Sequence, residues 1–135
     1  MRDYETLKDL VPKDKFDDKR LNEIGELSDG EFEIIVPDLL TWMQDMNWPV
    51  ATPVSGVLLK RYNVVEDHLC EILKADQKDD EWKRNVITYL IKKWPSRITN
   101  EELINEIKRI AEKPFSSEKE ELVDEAARDI INLLS

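Results

Sequence analysis

The sequence is poor in the residues that most catalytic and metal sites require. Its 135 residues include one cysteine, Cys70, and one histidine, His68. A single cysteine excludes an internal disulfide framework and fits a reducing compartment. One histidine excludes a two-histidine metal site or proton relay. Because glycine-rich phosphate loops and nucleophile elbows are also missing, the sequence predicts no catalytic residues, no metal ligands and no cofactor.

Glycine and long apolar runs are scarce as well. Three glycines provide few β-turns and suit helices that are joined by short corners. The first residues, MRDYETLKDL, lack the apolar segment of a signal peptide, and no apolar run reaches membrane-spanning length. Apolar residues still make up 41% of the chain, which is enough for a core. We expect one cytoplasmic domain over residues 1–135, without membrane contact, as a monomer or weak dimer.

The net charge of −10 is unevenly distributed along the chain. An acidic chain repels phosphate backbones, which argues against nucleic-acid binding. Residues 83–113 reverse the sign, with 8 basic and 4 acidic residues. This segment predicts a positive strip formed by Lys83, Lys92, Lys93, Arg97, Lys108, Arg109 and Lys113. An equally supported alternative is that the acidic last helix neutralises these cations, through Glu118, Glu120, Glu121, Asp124 and Glu125.

Apolar residues recur every three or four positions, which predicts an all-α chain of seven to eight helices. The expected helices are Tyr4–Val11, Lys15–Leu27, Ser28–Met46, Val50–Tyr62, Asn63–Leu73, Trp82–Trp94, Thr99–Ala111 and Ser117–Leu133. Four of them begin with a capping-box pattern, namely Ser28 with Glu31, Asn63 with Glu66, Thr99 with Glu102, and Ser117 with Glu120. Pro37 lies inside an unbroken apolar stripe, so we expect it to kink the third helix and not to restart it.

The stretch DLLTWMQDMNWPVATP, Asp38–Pro53, carries two of the four tryptophans. It predicts a corner, Asp45–Pro49, between two antiparallel helices. Asn47 is expected to cap the following helix, and the Trp48 ring to cover the junction. Trp42 falls one position off the main apolar stripe, so it is expected to line a second face. The alternative is that these tryptophans are exposed and anchor a partner. Trp82 and Trp94 are expected in the core.

Two stretches, QDMNWPVATPVSGVLL and DQKDDEWKRNVITYLI, place a tryptophan between an acidic turn and a helix at a spacing of 34 residues. A helix pair that recurs at this period is typical of an α-solenoid. The pattern LLTWMQDMNWPVA, followed by an acidic turn and EWK, resembles a bacterial family of uncharacterised small proteins with HEAT-like repeats. The resemblance covers Leu10–Pro95 and is most specific at WMQDMNWPVA. It implies a HEAT-like stack of antiparallel helix pairs, with 96–135 as a C-terminal pair, and implies no chemistry.

The remaining polar residues have simpler structural interpretations. His68 is expected to be a surface or partly buried helix residue, and Cys70 an inert thiol. The acidic runs at 17–18 and 79–81 lack the spacing and glycine of a calcium loop. They are expected to stabilise helix N-termini or to face solvent.

These observations favour a non-catalytic protein-binding module. Some helical families of this size are immunity proteins against toxins, so an immunity-type or adaptor role falls within this hypothesis. The expected contact residues are Trp42, Asp45, Asn47, Trp48, Lys92, Lys93 and Arg97. One alternative is a HEAT-like protein that binds nucleic acid or repairs bases, which segment 83–113 would favour. The other is a small-molecule enzyme that uses a carboxylate pair.

Overall fold

The computed structural model describes residues 2–74, 76–94 and 98–134, and all regular elements in these ranges are helices. The all-α prediction is confirmed, although the described residues form nine α-helices where seven to eight were expected. None of the described helices has the length and apolar character needed to cross a membrane. The helices are α1 Tyr4–Leu7, α2 Leu21–Gly25, α3 Asp29–Thr41, α4 Ala51–Lys60, α5 Tyr62–Leu73, α6 Asp80–Val86, α7 Glu101–Glu112, α8 Ser116–Glu120 and α9 Val123–Leu134. A 3₁₀ turn, Lys8–Leu10, follows α1, and a π-helical segment, Ile87–Ile91, follows α6.

The chain forms two compact units, Met1–Val65 and Glu66–Ser135. Helix α5 begins in the first unit and ends in the second. The single domain that the sequence predicts is not tested by this division and stays a prediction.

In the first unit, α3 packs against α1 and α4, and α2 packs against α4. Pro37 lies within α3, whose helix continues on both sides of it, so the interpretation without a restart is confirmed. Ser28 Oγ accepts the amide of Glu31 at 3.3 Å, as the capping box requires. The Glu31 carboxylate does not complete that box. It accepts instead from the amide and Nε of Arg2, at 2.9 and 3.1 Å. The core of this unit includes Leu7, Ile24, Phe32, Ile35, Leu39, Val54 and Leu58.

The second predicted helix, Lys15–Leu27, is wrong over its first part, because only Leu21–Gly25 is helical. Phe16, an apolar position within the predicted helix, lies outside α2 and has 67% of its surface exposed. Carboxylates of Asp14 and Asp17 accept amides of residues close by in sequence, and such local bonds compete with helix formation. Residues 13–19 therefore form a loop, which we call the Phe16 loop.

Helix α3 ends at Thr41 and not at Met46, so the turn between α3 and α4 covers residues 42–50. The predicted cap at Asn47 is wrong, because the residue before α4 is Val50 and no side chain caps that helix. The Val50 amide donates to the carbonyl of Lys15 at 2.9 Å. This bond connects the Phe16 loop to the last residue of the turn between α3 and α4.

In the second unit, α7 packs against α9, and α9 also contacts α6, the π-helical segment and α8. The cap of α7 is Asn100, whose Oδ1 accepts the Leu103 amide at 3.0 Å, and not Thr99. Glu66 does not pair with Asn63, which lies inside α5. Its carboxylate accepts the amides of Thr99 and Asn100 at 2.7 and 2.6 Å. The predicted pair was wrong because Glu66 is buried and its partners are distant in sequence.

The predicted last helix is broken into α8 and α9. Leu122, between them, has a left-handed φ of 61°, which ends one helix and re-aims the chain for the next. The expected capping box at Ser117 is wrong, since α8 already begins at Ser116 and the Glu118 carboxylate accepts the amide of Phe115. Apolar spacing along the predicted last helix places Leu133 on its inward face, but the structure leaves Leu133 55% exposed.

Candidate protein-binding surface

The two tryptophans of the α3–α4 turn contact each other. Their ring centroids lie 5.5 Å apart with an interplanar angle of 71°, which is the edge-to-face arrangement that aromatic quadrupoles favour. Both residues are half-buried, so each is partly accessible to solvent. Trp42 and Trp48 therefore form a joint aromatic patch. The sequence left open whether these tryptophans are buried or fully exposed, and the structure gives both an intermediate exposure.

Backbone hydrogen bonds order the chain on both sides of Trp48. Its amide donates to the carbonyl of Asp45 at 3.1 Å, and the Ala51 amide donates to the carbonyl of Trp48 at 3.0 Å. The Asp45 carboxylate accepts the Asn47 amide at 2.8 Å, which closes an Asx turn. Asn47 itself is exposed. The four candidate residues of the corner region thus lie on one hydrogen-bonded turn.

Trp42 also lines a surface groove of about 340 Å³. Its lining residues are Tyr4, Lys8, Asp9, Val11, Pro12, Lys13, Asp38, Thr41 and Trp42. The Tyr4 hydroxyl donates to Asp38 Oδ2 at 2.7 Å, and this bond with the carboxylate raises the pKa of Tyr4. The groove carries charges of both signs, from Lys8, Lys13, Asp9 and Asp38, so it is suited to polar contacts beside the aromatic patch.

The Phe16 loop adds a residue that sequence reasoning missed. The Lys15 Nζ lies 5.3 Å from the centroid of the Phe16 ring, and the Lys15 carbonyl accepts the Val50 amide. The signal in the sequence was the pair Asp14 and Asp17 around the phenylalanine, because aspartates at this spacing favour local turns over helix.

The predicted positive strip is only partly present. Lys92 is exposed and its Nζ lies 3.6 Å from Asp129 Oδ2, and Lys93 is exposed. Arg97 lies outside the described residues. Lys83 is 1% exposed, so its place in the strip is a wrong prediction. For Lys83 and Arg109 the structure follows the alternative, internal neutralisation, because both bind Glu118.

Glu118 is the centre of a buried charge cluster in the second unit. Its carboxylate accepts from Lys83 Nζ at 2.9 Å, from Arg109 Nη1 and Nη2 at 3.0 and 2.9 Å, and from the Phe115 amide at 2.8 Å. Burial opposes ionisation of this carboxyl, but the bonds from Arg109, Phe115 and Lys83 outweigh it and lower its pKa to about 2. Since Lys83 also lies 3.4 Å from Asp80, every charge has a partner, and the cluster is suited to holding α8 in place.

The single cysteine and the single histidine both lie on α5. Cys70 is buried. Burial, followed by the charges of Glu102, Asp67 and Glu106, raises its pKa to about 11, which agrees with the inert thiol that was predicted. His68 is half-buried on α5. Among the described residues, no three or more histidine, cysteine, aspartate or glutamate side chains are grouped so that they could hold a metal ion.

Comparison with known families gives a match over most of the chain. The chain belongs to the family described as a domain of unknown function (DUF5071), which covers residues 10–131. The match extends well past Pro95, where the resemblance in the sequence was expected to end. The comparison with curated proteins found no match.

Proposed function

We propose that this member of the DUF5071 family is a non-catalytic protein-binding module, and that the α3–α4 turn with the groove beside it is its contact surface. The observation that carries the proposal is the edge-to-face pair of half-buried tryptophans, Trp42 and Trp48. Tryptophan is among the residues most enriched at binding hot spots, where a large ring gains contact area at a small entropic cost.

The rigidity of the turn supports the same proposal. Affinity is reduced when a contact loop must be ordered on binding. Here the Asx turn at Asp45 and the backbone bonds around Trp48 order it beforehand. Asn47, which is exposed and bonds through its backbone amide, keeps its side chain for contact with a partner.

Charge favours a protein partner over nucleic acid. The net charge is −10, and Lys83 and Arg109 of the basic segment bind the buried Glu118. The exposed Lys92 and Lys93 stay candidates for a second, electrostatic contact with an acidic protein. Double substitution of both by glutamate is expected to slow association and to flatten its salt dependence.

The proposal includes the finer features that the resemblance implies. These are a bacterial, cytoplasmic protein, a HEAT-like stack of antiparallel helix pairs, and an immunity-type or adaptor role. Supporting observations are the packing of α3 on α4, which the turn 42–50 connects, and the similar order of helix, connection and helix in α5 and α6.

The test compares Trp42→Ala and Trp48→Ala with Trp94→Ala, a matched change of another half-buried tryptophan. Proteins retained from the native cell are identified by mass spectrometry, and the recovered partner is purified and titrated with each variant. We expect the first two variants to lose at least tenfold in affinity and Trp94→Ala to bind normally. Equal affinity of all three variants, or retention of DNA at low salt, would contradict the proposal.

A further inference from the structure

Helix α8 and the residues beside it, 115–122, are attached to the second unit without a buried apolar side chain of their own. Glu118 is the buried residue of this segment. Phe115 and Leu122 are 49% and 50% exposed, and the Phe115 ring lies 5.1 Å from the guanidinium group of Arg109. Because apolar burial is the usual source of helix attachment, this segment depends on Glu118 to an unusual degree.

The bonds from this segment to α6 and α7 are polar. The Glu118 carboxylate accepts from Lys83 Nζ of α6 at 2.9 Å and from Arg109 Nη1 and Nη2 of α7 at 3.0 and 2.9 Å. At the end of the segment, Arg84 Nη1 donates to the Glu121 carbonyl at 3.3 Å. The segment also lies beside α9. Its attachment is therefore mainly electrostatic, with one carboxylate at the centre.

The two cations that bind Glu118 have partners outside α8. Lys83 Nζ lies 3.4 Å from Asp80 Oδ1 of its own helix. Arg109 Nε lies 3.3 Å from Glu106 Oε2, and Arg109 Nη2 donates to the Leu73 carbonyl at 3.2 Å. The pair of cations is thus assembled by α5, α6 and α7, and α8 supplies a carboxylate that enters it.

The segment is separated from α7 and from α9 by breaks in helical geometry. Leu122 has a left-handed φ of 61°, a conformation that costs free energy for a residue with a side chain. At the other end, Pro114 has no backbone amide with which to extend α7. Movement of the segment therefore requires neither long helix to unwind.

We infer that residues 115–122 form a latch, which opens and closes as one unit while α7 and α9 stay folded, and that Lys83 and Arg109 form a carboxylate-binding site which Glu118 occupies in the closed form. Segments with few buried apolar contacts open at a lower free energy than the core. A carboxylate with several charged donors is strongly bound, so a single side chain keeps the latch closed. This inference goes beyond the proposed function and does not depend on it.

Native-state hydrogen exchange of the full chain tests whether the latch opens as one unit. The reporters are the amides of Lys119, Glu121 and Leu122, which donate to carbonyls within the segment. We expect these amides to share one opening constant, at least about tenfold larger than that of α7 and α9 amides. Low urea should leave it unchanged, because a local opening exposes little surface. Unequal constants along the segment, or the same urea dependence as in α7 and α9, would overturn the latch.

Chemical labelling of Lys83 with an amine-reactive acetylating reagent tests what keeps the latch closed. Lys92, which is exposed in the same unit, is the labelling control. We expect Glu118→Gln to speed both Lys83 labelling and exchange of the reporter amides at least about tenfold, since the bolt of the latch loses its charge. Glu120→Gln, a matched change at an exposed position of α8, should leave both rates unchanged. Labelling of Lys83 only in urea that also releases α7 amides would overturn the latch.

Added formate tests the carboxylate-binding site. Glu118→Ala removes the internal carboxylate, and sodium formate is compared with sodium chloride at equal ionic strength. We expect formate, but not chloride, to raise the melting temperature of this variant and to slow labelling of Lys83, because a ligand stabilises the state that binds it. If Glu118→Ala is unfolded in chloride, formate should refold it. The wild type and the double variant Lys83→Met, Glu118→Ala should respond equally to both salts. Equal responses of Glu118→Ala would overturn the site.

Discussion

Removal of the Glu118 carboxylate is the sharpest test of what holds the second unit together. Glu118→Gln keeps the shape of the side chain but removes its negative charge. Lys83, 1% exposed, would then keep only Asp80, at 3.4 Å. Breaking a buried ion pair by removing one partner costs about 3–5 kcal/mol, since the other charge stays buried without compensation. At about 3 °C per kcal/mol for a domain of this size, the melting temperature should fall by roughly 10 °C.

The double variant Lys83→Met, Glu118→Gln measures the interaction between Lys83 and Glu118 apart from the bonds that Glu118 makes to Arg109 and Phe115. The methionine removes the buried ammonium, and the glutamine oxygen still accepts from Arg109 and the Phe115 amide. We expect the loss in the double variant to be smaller than the sum of the two single losses by about 1–3 kcal/mol. Urea unfolding of the four proteins measures this coupling. Additive losses would refute the argument, because they would mean that Lys83 and Glu118 do not stabilise each other.

The same cluster predicts how stability changes with acid. A carboxyl with a pKa of about 2 in the folded protein, against an ordinary value of 4.5, stabilises the fold fully above its ordinary value. That contribution is lost as the pH falls from about 4.5 through 2. Unfolding free energies measured between pH 5 and 3 should therefore decline more steeply for the wild type than for Glu118→Gln. Parallel curves would mean that Glu118 does not titrate far below its ordinary range.

Three smaller experiments test single features of the structure. Asn47→Ala should change the free energy of unfolding by less than about 0.5 kcal/mol, because no cap is lost; a loss near 1 kcal/mol would restore the capping role. Native Cys70 should react with a disulfide reagent at pH 8 at least about a hundredfold more slowly than in the unfolded chain, since its raised pKa and burial keep the thiolate scarce; equal rates would contradict this. Leu122→Gly should raise the urea midpoint, because glycine relieves a left-handed φ that costs leucine about 1 kcal/mol, whereas Leu133→Gly, a control within α9, should lower it.

The sequence predicted the helical stripes well because apolar periodicity and helix packing share one physical cause. Residues such as Ile35 and Leu39 recur on one helix face, and the same face is buried in the core. The boundaries were predicted less well, since they depend on hydrogen bonds that compete locally. The carboxylates of Asp14 and Asp17 bind local backbone amides, so a loop forms where a helix was predicted. Apolar periodicity alone carries no information about such local bonds.

Tertiary partners explain the other misses. Glu66 fitted a local capping box with Asn63, yet its carboxylate lies at the amides of Thr99 and Asn100. Lys83 belonged to a basic segment, yet its ammonium group is buried against Glu118. In both cases a charged residue found a partner more than thirty positions away, and single-sequence patterns carry no information about such distances. The sequence proposed Trp42 and Trp48 as contact residues and placed Phe16 in a helix, whereas Phe16 lies on a loop and is 67% exposed.

Trp48 and Trp82, which suggested a repeat in the sequence, lie in different structural positions. Trp48 and Trp82 are 34 residues apart and both follow an acidic stretch. Trp48 lies in the turn before α4, whereas Trp82 is inside α6 and donates its amide to the capping Asp79 at 3.0 Å. The two tryptophans therefore do not occupy equivalent positions, and a repeat is defined by equivalent packing positions. The proposed HEAT-like stack must rest on helix pairs such as α3 with α4, and not on these tryptophans. For the same reason Trp82 is not expected to share the binding role that we propose for Trp48.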